Sequence, residues 1–418
     1  MEKLKIGILG ASRGMDFAMR ILPGYEFAEI KAVCETYPDL LEKSRAFFRE
    51  KGERVLCTQS FDEMLDAGID AVIVANYANE HAPYAIRALE KGVHVYSEVQ
   101  PVQTLAEACA LCDAAEKSGK IYAYGENYCY FDNVFAMKRH YEAGDIGEAV
   151  CLEGNFINDC APKWHLLTRG KRDHWRNYVP SSFYCTHSIG PILFSTSLSP
   201  VRVTGLEAPR LPSMAEKGAR CGGGAFLSME LKNGGIARSL NSNGLKHPYV
   251  AFYRLIGENG SIEATADRIT IYRYDREFRF DVREETDSFP DFPYRPRLEL
   301  GHVSNSDATA FGFFVARILG DPVGIKNSID VYRALDMALP GLLGYRSILK
   351  GGAPFEIPDL RDPAARDKYR NDFYATDPRT PAPWLLPTSK AGTPEVEESV
   401  YEAVREELEK VDLTPGMK

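Results

Sequence analysis

KIGILGASRGM, residues 5–15, decides the fold of the first part of the chain. An apolar β run leads into a turn that contains Gly10 and Gly14, and a helical stretch follows. Glycines at such a turn let the backbone approach a dinucleotide pyrophosphate, which the helix N-terminus binds. The fingerprint is imperfect, because Ser12 replaces the middle glycine and Gly14 comes one position early. These residues and Arg13 predict a dinucleotide site, and the alternative is a plain strand–turn–helix.

Short apolar β runs alternate with helical stretches up to residue 126, as in βαβ units with parallel strands. The predicted strands are Lys5–Leu9, Ile30–Cys34, Ala71–Ala75, His94–Ser97 and Ile121–Tyr124, and the predicted helices include Ala82–Lys91 and Leu105–Ser118. We therefore expect residues 1–126 to form an α/β domain of Rossmann type, with a doubly wound parallel sheet.

The pattern of predicted strands and helices changes after residue 126. Between residues 127 and 355, β runs follow one another without helices of crossover length, which predicts an α+β domain with a large, mostly antiparallel open sheet. Helices at 306–319 and 328–349 are expected to cover one face. Residues 356–418 are rich in Pro, Asp and Arg and end in a charged amphipathic helix. We expect this segment to be an extension that packs on both domains.

Composition limits the partners of the chain. It has 418 residues and a net charge of -9, and its basic residues are scattered, so nucleic acid is not an expected partner. The sequence shows neither a signal peptide nor an apolar run of membrane-spanning length. Nine cysteines are present, and we expect neither a disulfide framework nor a metal site. These features favour a soluble cytoplasmic protein.

Glu35 follows the second predicted strand, about 20 residues after the glycine turn. An acidic side chain at this place binds the adenosine ribose hydroxyls and repels a 2′-phosphate. The alternative is an ordinary loop carboxylate. Together with the glycine turn, Glu35 predicts NAD rather than NADP.

Several further motifs resemble the glucose-fructose oxidoreductase and inositol dehydrogenase (Gfo/Idh/MocA) superfamily. They are IDAVIVANYANEHAP at 69–83, SEVQP at 97–101, GEN at 125–127, GENGSIE at 257–263 and Gly301–His302. The resemblance implies that the cofactor is bound by Asn76, His81, Glu98 and Gln100. His81 has a second interpretation as a loop histidine with satisfied hydrogen bonds.

One departure narrows the resemblance. Val99 stands where the dehydrogenases of the superfamily carry a lysine between nicotinamide and substrate, and valine cannot move a proton. The segment YCTHSIGP, residues 184–191, is similar to a motif of NAD-dependent glycosidases of the α-N-acetylgalactosaminidase type. These enzymes, as the resemblance implies, oxidise C3 of the sugar, remove the C2 proton, eliminate the group at C1, add water and reduce C3 again.

Four residues are expected to be catalytic: His187, Tyr184, Glu126 and Tyr130. His187 is expected to accept the O3 proton, and Tyr184 to act as its hydrogen-bonding or acid partner. Glu126 is expected to hold a sugar hydroxyl or the nicotinamide ribose. The relatives' C2 base is a tyrosine, but Phe156 stands at that place. Either Tyr128, Tyr130 or His165 takes over, or the substrate and the eliminated proton differ from those of the relatives. For each of these residues the alternative is structural: a buried histidine, a core tyrosine or an interdomain salt bridge.

An aromatic and basic loop, residues 164–176, follows the strand of Phe156. It contains Trp164, His165, Arg169, Lys171, Arg172, Trp175 and Arg176. It predicts sugar contacts, with an anionic sugar or aglycone, or else a solvated basic loop. The expected substrate contacts are Asn158, Asp159, Trp164, His165, Arg176 and His302.

Three functions fit these observations. The first is an NAD-dependent glycosidase acting on a small-molecule glycoside. The second is a sugar or cyclitol dehydrogenase with net NADH production, and the third is an inert NAD-binding regulatory protein. An open sheet face also favours a homo-oligomer, either a dimer or a tetramer.

Overall fold

The computed structural model describes residues 2–265, 268–274, 280–285, 292–296 and 302–410, with the backbone alone for 280–285 and 302–304. Within these residues, no helix is both long enough and apolar enough to cross a membrane.

The first domain is built on a parallel sheet of six strands in the order β3-β2-β1-β4-β5-β6. The strands are β1 Leu4–Leu9, β2 Ala28–Cys34, β3 Leu56–Thr58, β4 Ala71–Val74, β5 His94–Ser97 and β6 Tyr122–Tyr124. The helices are α1 Gly14–Asp16, which continues as a π-helical turn over Phe17–Ile21, α2 Pro38–Glu50, α3 Phe61–Asp66, α4 His81–Glu90 and α5 Leu105–Ser118. This is the predicted doubly wound sheet, and its chain order reverses between β1 and β4.

Local sequence explains where these elements begin and end. Helix α5 opens with a capping box in which Thr104 and Glu107 satisfy each other's backbone N–H groups, and it ends at Gly119 in the left-handed conformation. Strand β3 was missing from the prediction, because three residues are too few to show a periodic pattern.

The second domain contains a sheet of nine strands in the order β14-β13-β12-β11-β7-β10-β9-β8-β15. Only β7 and β10 pair in parallel, which confirms the mostly antiparallel sheet. The strands are β7 Ala149–Ile157, β8 Pro200–Ala208, β9 Gly224–Leu231, β10 Ile236–Ser242, β11 Val250–Gly257, β12 Gly260–Ala264, β13 Ile269–Tyr274, β14 Phe280–Glu285 and β15 Phe355–Glu356.

Helices cover one face of this sheet. The helices of this part of the chain are α6 Asp132–Glu142, α7 Trp164–Thr168, α8 Thr186–Thr196, α9 Pro212–Ala215, α10 His302–Ile318, α11 Pro322–Asn327 and α12 Val331–Leu349. Those that contact strands of the sheet are α6, α8 and α12. Helix α8 packs on β7, β10 and β11. A Cβ at Gly154 of β7 would overlap the carbonyl oxygen of Ser188, so glycine lets α8 approach the sheet. This approach brings the start of α8 against the Rossmann domain.

The C-terminal segment contains α13 Pro363–Asp367 and α14 Glu398–Glu409. The Arg366 side chain is only 1% exposed and pairs with Asp113 at 2.9 Å and with Glu116, both on α5. Arg405 on α14 donates to the carbonyl oxygen of Gly170 at 2.9 Å. The segment therefore contacts the first domain through α13 and the second domain through α14.

Candidate active site

The turn after β1 fits a pyrophosphate at two glycines. Gly10 has a φ of +96°, and a Cβ there would lie 2.6 Å from the carbonyl oxygen of Ala75. A Cβ on Gly14 would lie 2.5 Å from Ile8 Cγ2, so this glycine lets α1 pack closely on β1. Both positions therefore require glycine, although the fingerprint is degenerate.

A cleft of about 980 Å³, including the part open to solvent, runs along the carboxyl ends of β1, β2 and β4. Of the residues predicted to bind cofactor, it is lined by Gly10, Ser12, Arg13, Glu35 and Asn76. The Oδ1 atom of Asn76 is buried without a hydrogen-bond partner among the described residues, which leaves an acceptor for a ligand in the cleft.

Glu35 lies at the end of β2, where the spacing predicted it. Its Oε2 accepts a hydrogen bond from the backbone N–H of Ala11 at 2.7 Å, and its Oε1 accepts one from the backbone N–H of Tyr37 at 2.9 Å. The carboxylate is thus fixed against the glycine turn and borders the cleft. The residues around this cleft fit NAD, with the ribose beside Glu35 and the pyrophosphate beside Gly10.

The basic loop closes the outer side of the cleft. Lys171 Nζ lies 2.8 Å from the hydroxyl of Tyr37, which in turn lies 2.7 Å from the hydroxyl of Tyr77. Arg169 pairs with Asp39 of α2 at 3.0 Å. Two of the loop's cations therefore bind the Rossmann domain instead of being solvated, and no sequence pattern indicated these contacts.

Arg13 joins the glycine turn to two buried carboxylates. Its Nη2 lies 2.8 Å from Oε1 of Glu98, at the end of β5, and 2.8 Å from Oδ1 of Asp307 on α10. Burial raises the pKa of Asp307 to about 6, although Arg13 opposes the shift. Asp307 was not predicted, since it is one polar residue in a helix far along the chain.

His81 does not line the cleft, so its predicted cofactor contact is corrected. The side chain is 1% exposed. Its Nδ1 lies 2.8 Å from the carbonyl oxygen of Glu98 and 2.9 Å from that of Gln100, and its Nε2 lies 3.2 Å from that of Asn76. Desolvation lowers its pKa. His81 therefore holds together the backbone behind the site, as the structural alternative supposed.

The ends of β5 and β6 meet the start of α8. Gln100 Nε2 donates to Thr186 Oγ1 at 3.0 Å, and Val99 packs against the aromatic cluster that contains Tyr184. Glu126 is fully buried, and its Oε1 lies 2.8 Å from Nδ1 of His187. The structure thus brings three of the four predicted catalytic residues together, because Glu126 contacts His187 and the ring of His187 stacks on that of Tyr184.

His187 lies in an aromatic environment. Its ring is 4.3 Å from that of Tyr128, 4.8 Å from that of Phe156 and 5.7 Å from that of Tyr184, measured between centroids. Tyr253 donates to its carbonyl oxygen at 2.7 Å. Because Glu126 engages Nδ1, Nε2 is the nitrogen left for a substrate.

Two tyrosine hydroxyls stand around Phe156, where the relatives' base is absent. The hydroxyl of Tyr249 lies 2.6 Å from that of Tyr128, and both rings contact Phe156. Burial raises the pKa of both tyrosines. Tyr249 was missed by the sequence analysis, because it precedes a strand and carries no motif.

Tyr130 and His165, the other possible C2 bases, do not reach this site. Tyr130 is 2% exposed, packs among phenylalanines and donates to the carbonyl oxygen of Asn327 at 3.0 Å. Its assignment as a catalytic residue is therefore corrected to a core tyrosine. His165 Nδ1 faces Glu407 of α14 at 3.7 Å, so it belongs to the contact between α7 and the C-terminal helix.

The remaining predicted substrate residues lie at different depths. Trp164 is buried and donates to Asn177 Oδ1 at 3.1 Å, and Asp159 Oδ1 accepts from the backbone of Ala161 at 3.0 Å. Asn158 is half-buried beyond the end of β7. Arg176 borders both the cofactor cleft and a second cavity beside Tyr184. The side chain of His302 lies outside the described residues.

Comparison with known proteins agrees with this geometry. The family described as "Oxidoreductase family, NAD-binding Rossmann fold" (Gfo/Idh/MocA) matches residues 4–126. The first domain belongs to this family. The predicted superfamily and NAD as the cofactor class are thereby confirmed.

Among curated relatives, a glycosyl hydrolase family 109 protein of Shewanella pealeana is 26% identical over 203 residues, which cover 46% of this chain and 44% of the relative. The match thus spans less than half of that relative's length. A glycosyl hydrolase family 109 protein of Streptomyces filamentosus is 24% identical over 91% of this chain and 81% of its own length.

Solved structures share the fold of both domains. An inositol dehydrogenase homologue of Azotobacter vinelandii, complexed with NADH and myo-inositol, has a TM-score of 0.68 at 16% identity over 85% of this chain and 98% of its own. An oxidoreductase of Sinorhizobium meliloti has a TM-score of 0.67 at 20% identity over 85% of this chain and 100% of its own.

Proposed function

We propose that this chain is an NAD-dependent glycoside hydrolase that cleaves its substrate after transient oxidation of the sugar at C3. The observation that carries the proposal is the buried Glu126–His187 pair, whose histidine stacks on Tyr184. Tyr184 belongs to an aromatic cluster with Trp175, which lines the NAD cleft, and Val99, which replaces the lysine of the dehydrogenases, packs against this cluster. The names of the glycosyl hydrolase family 109 relatives support this choice.

His187 accepts the proton of the C3 hydroxyl through Nε2. Glu126 holds Nδ1 and stabilises the imidazolium that forms, so the proton stays on the ring until C3 is reduced again. NAD, when bound, supplies the hydride acceptor for C3 and returns the hydride after cleavage. The buried Oε2 of Glu126 has no partner among the described residues and is available to a ligand hydroxyl.

The C3 ketone acidifies the neighbouring C2 proton, and a protein group has to accept it. The Tyr128–Tyr249 hydroxyl pair is the proposed acceptor, since it lies around Phe156 on the side of His187. The raised pKa values keep both hydroxyls protonated at neutral pH, so the pair takes up the C2 proton only as Tyr249, which is 48% exposed, releases a proton to water.

Cleavage of the C1–O bond sends an electron pair to the leaving oxygen, which needs a proton. Tyr184 is the proposed donor, because burial raises its pKa and its ring stacks beside His187. Water then adds across C1 and C2: its hydroxide bonds to C1, C2 takes a proton back from the Tyr128–Tyr249 pair, and the remaining proton of the water restores Tyr184 before C3 is reduced. The overall reaction is hydrolysis without net oxidation, and it needs no second carboxylate near C1.

The decisive experiment uses an aryl glycoside in heavy water with NAD in catalytic amount. The expected result is release of the aryl alcohol, deuterium at C2 of the sugar and no accumulation of NADH. Stoichiometric NADH without aryl release would show the alternative, a sugar or cyclitol dehydrogenase. Saturable NAD binding with neither reaction over a broad panel would favour the inert regulatory protein.

A further inference from the structure

Arg176 differs from the other cations of its loop. Arg169 pairs with Asp39, Lys171 with the hydroxyl of Tyr37, and Arg172 with Glu395 and Glu398 at the longer distances of 3.8 and 3.7 Å. In the part of the chain that the structure describes, Arg176 has no carboxylate partner. Its side chain is only half-exposed, so the charge has neither full solvation nor a counterion.

Aromatic rings fix the position of this guanidinium. It lies 4.5 Å from the ring centroid of Trp175 and 5.5 Å from that of Tyr184. The ring of Tyr184 is itself stacked on His187 at 5.7 Å. The guanidinium is therefore one tyrosine ring away from the proposed C3 base, within the reach of a substituent on the same substrate.

A small cavity, of about 440 Å³ when the part open to solvent is included, lies beside Arg176 and Tyr184. Its described lining residues include Trp164, Ser181, Asn243 and the glycines at 222–224, and Arg176 is the one charged side chain among them. Glu207 lies behind this wall, where Ser181 donates to its Oε1 at 2.8 Å and the backbone N–H of Lys390 donates to its Oε2 at 2.7 Å. The cavity thus presents a positive charge and no exposed carboxylate.

We infer that the substrate carries an oxyanion, and that Arg176 binds it in the cavity beside Tyr184. This inference rests on the proposed glycosidase function and specifies its substrate class as acidic glycosides. The shared chemistry is a planar or tetrahedral group of negatively charged oxygens, supplied by a uronic carboxylate or by a sulfate ester. Arg176 is then a specificity-determining residue, and it takes no part in proton transfer.

The test begins with binding, so that it does not depend on turnover. Galactose, glucose, their uronic acids and their 6-sulfates are titrated into the NAD-loaded protein by calorimetry. At least one acidic sugar is expected to bind roughly 10- to 100-fold more tightly than its neutral counterpart, because a hydrogen bond to a charged group is lost without the acid. The uronic and sulfated arms distinguish the two sources of the oxyanion.

Variants then show whether Arg176 causes the preference for acidic over neutral sugars. Arg176→Gln is expected to remove it, Arg176→Lys to retain part of it, and Arg172→Gln, a change on the same loop at an exposed ion pair, to leave it unchanged. Melting temperatures and NAD affinity show whether each variant is folded. A preference that survives Arg176→Gln, or equal binding of acidic and neutral sugars, overturns the inference. Loss of NAD affinity in Arg176→Gln without a change in sugar preference also overturns it, since Arg176 would then serve the cofactor.

Aryl glycosides of the same sugars separate this inference from the proposed function. Cleavage of neutral glycosides only would support the hydrolase and reject the acidic substrate. Tight binding of an acidic sugar without cleavage of its glycoside would support Arg176 and reject the hydrolase.

Discussion

Nδ1 of His187 and Oε1 of Glu126 lie 2.8 Å apart, although the two residues belong to different domains and Glu126 is fully buried. The contact can form only when the end of β6 and the start of α8 are docked. A buried carboxylate that faces an imidazole fixes the ring's orientation and stabilises its charged form. The proposed proton acceptor, His187, therefore depends on the interface between the domains.

The first prediction concerns this pair. His187→Ala should lower kcat about 10²- to 10⁴-fold, the usual contribution of a general base. Glu126→Gln should also lower kcat, because a neutral amide stabilises the imidazolium of His187 less well than the carboxylate does. The double variant should be no slower than His187→Ala, since residues that act as a unit are not additive. The measurement is steady-state hydrolysis of an aryl glycoside, with NAD affinity as the control, and additive losses would contradict the pairing.

The sequence predicted the parts of this site that depend on local order. Glu35 and the ends of β5 and β6 were placed by spacing along the chain, and the Rossmann fold brings strand ends of known order to one edge. Tyr249 and Asp307 could not be predicted, because their partners Tyr128 and Arg13 are far away in sequence. Tyr130 was assigned wrongly for the same reason.

The basic loop shows more clearly what cannot be predicted from the sequence. Its composition gave a positive charge, but composition does not say which cations are already paired. The structure assigns Lys171 to Tyr37 and Arg169 to Asp39, both contacts between domains. Only this tertiary pairing singles out Arg176.

A second prediction concerns the cofactor. Glu35→Ala should weaken NAD binding about tenfold or more, because a charged hydrogen-bond acceptor is lost beside the ribose and the glycine turn loses its bond from Ala11. Affinity for NADP should fall less, since the repulsion of a 2′-phosphate is also removed. Fluorescence titration of both cofactors measures the ratio. Glu29→Ala, an exposed change on the same strand, serves as the control, and an unchanged ratio would count against the assigned role.

A third prediction concerns pH and Asp307. Burial raises the pKa of Asp307 to about 6 in the folded protein, whereas an unfolded aspartate titrates near 4. The folded state holds the proton more tightly between these values, so this residue's contribution to the free energy of unfolding falls as the pH rises from about 4 to about 6. The contribution is at most about 3 kcal/mol over this window.

Urea denaturation of the wild type and of Asp307→Asn, at several pH values from 4 to 7, separates the contribution of Asp307 to the free energy of unfolding from those of the other carboxylates. The difference in unfolding free energy, wild type minus variant, should decrease across the window and then level off. A flat difference would mean that Asp307 is ionised throughout, in a stable pair with Arg13.

A fourth prediction concerns the C-terminal extension, for which we propose a role in fastening the two domains. Arg366 is 1% exposed, and its partners on α5, Asp113 and Glu116, are 40% and 45% exposed. Arg366→Met should cost about 1–3 kcal/mol, less than a fully buried pair because the carboxylates remain solvated. Arg370→Met removes a surface pair to the same Asp113 and should cost much less, because exposed ion pairs contribute little to stability. Chemical denaturation checks both, and equal losses would refute the fastening role.

The last prediction concerns the uncovered face of the nine-stranded sheet, where we propose that a second copy of the chain docks. Three large apolar side chains on adjacent strands are exposed on this face: Leu206 at 65%, Phe226 at 37% and Ile236 at 56%. Such a patch is unusual on a monomer and favours a symmetric, self-complementary contact. Phe226→Glu should therefore halve the mass seen by light scattering, while Leu385→Glu, an equally exposed apolar site on the extension, should not. A wild-type protein that is monomeric at micromolar concentration would refute the contact, because no second copy would then cover the patch.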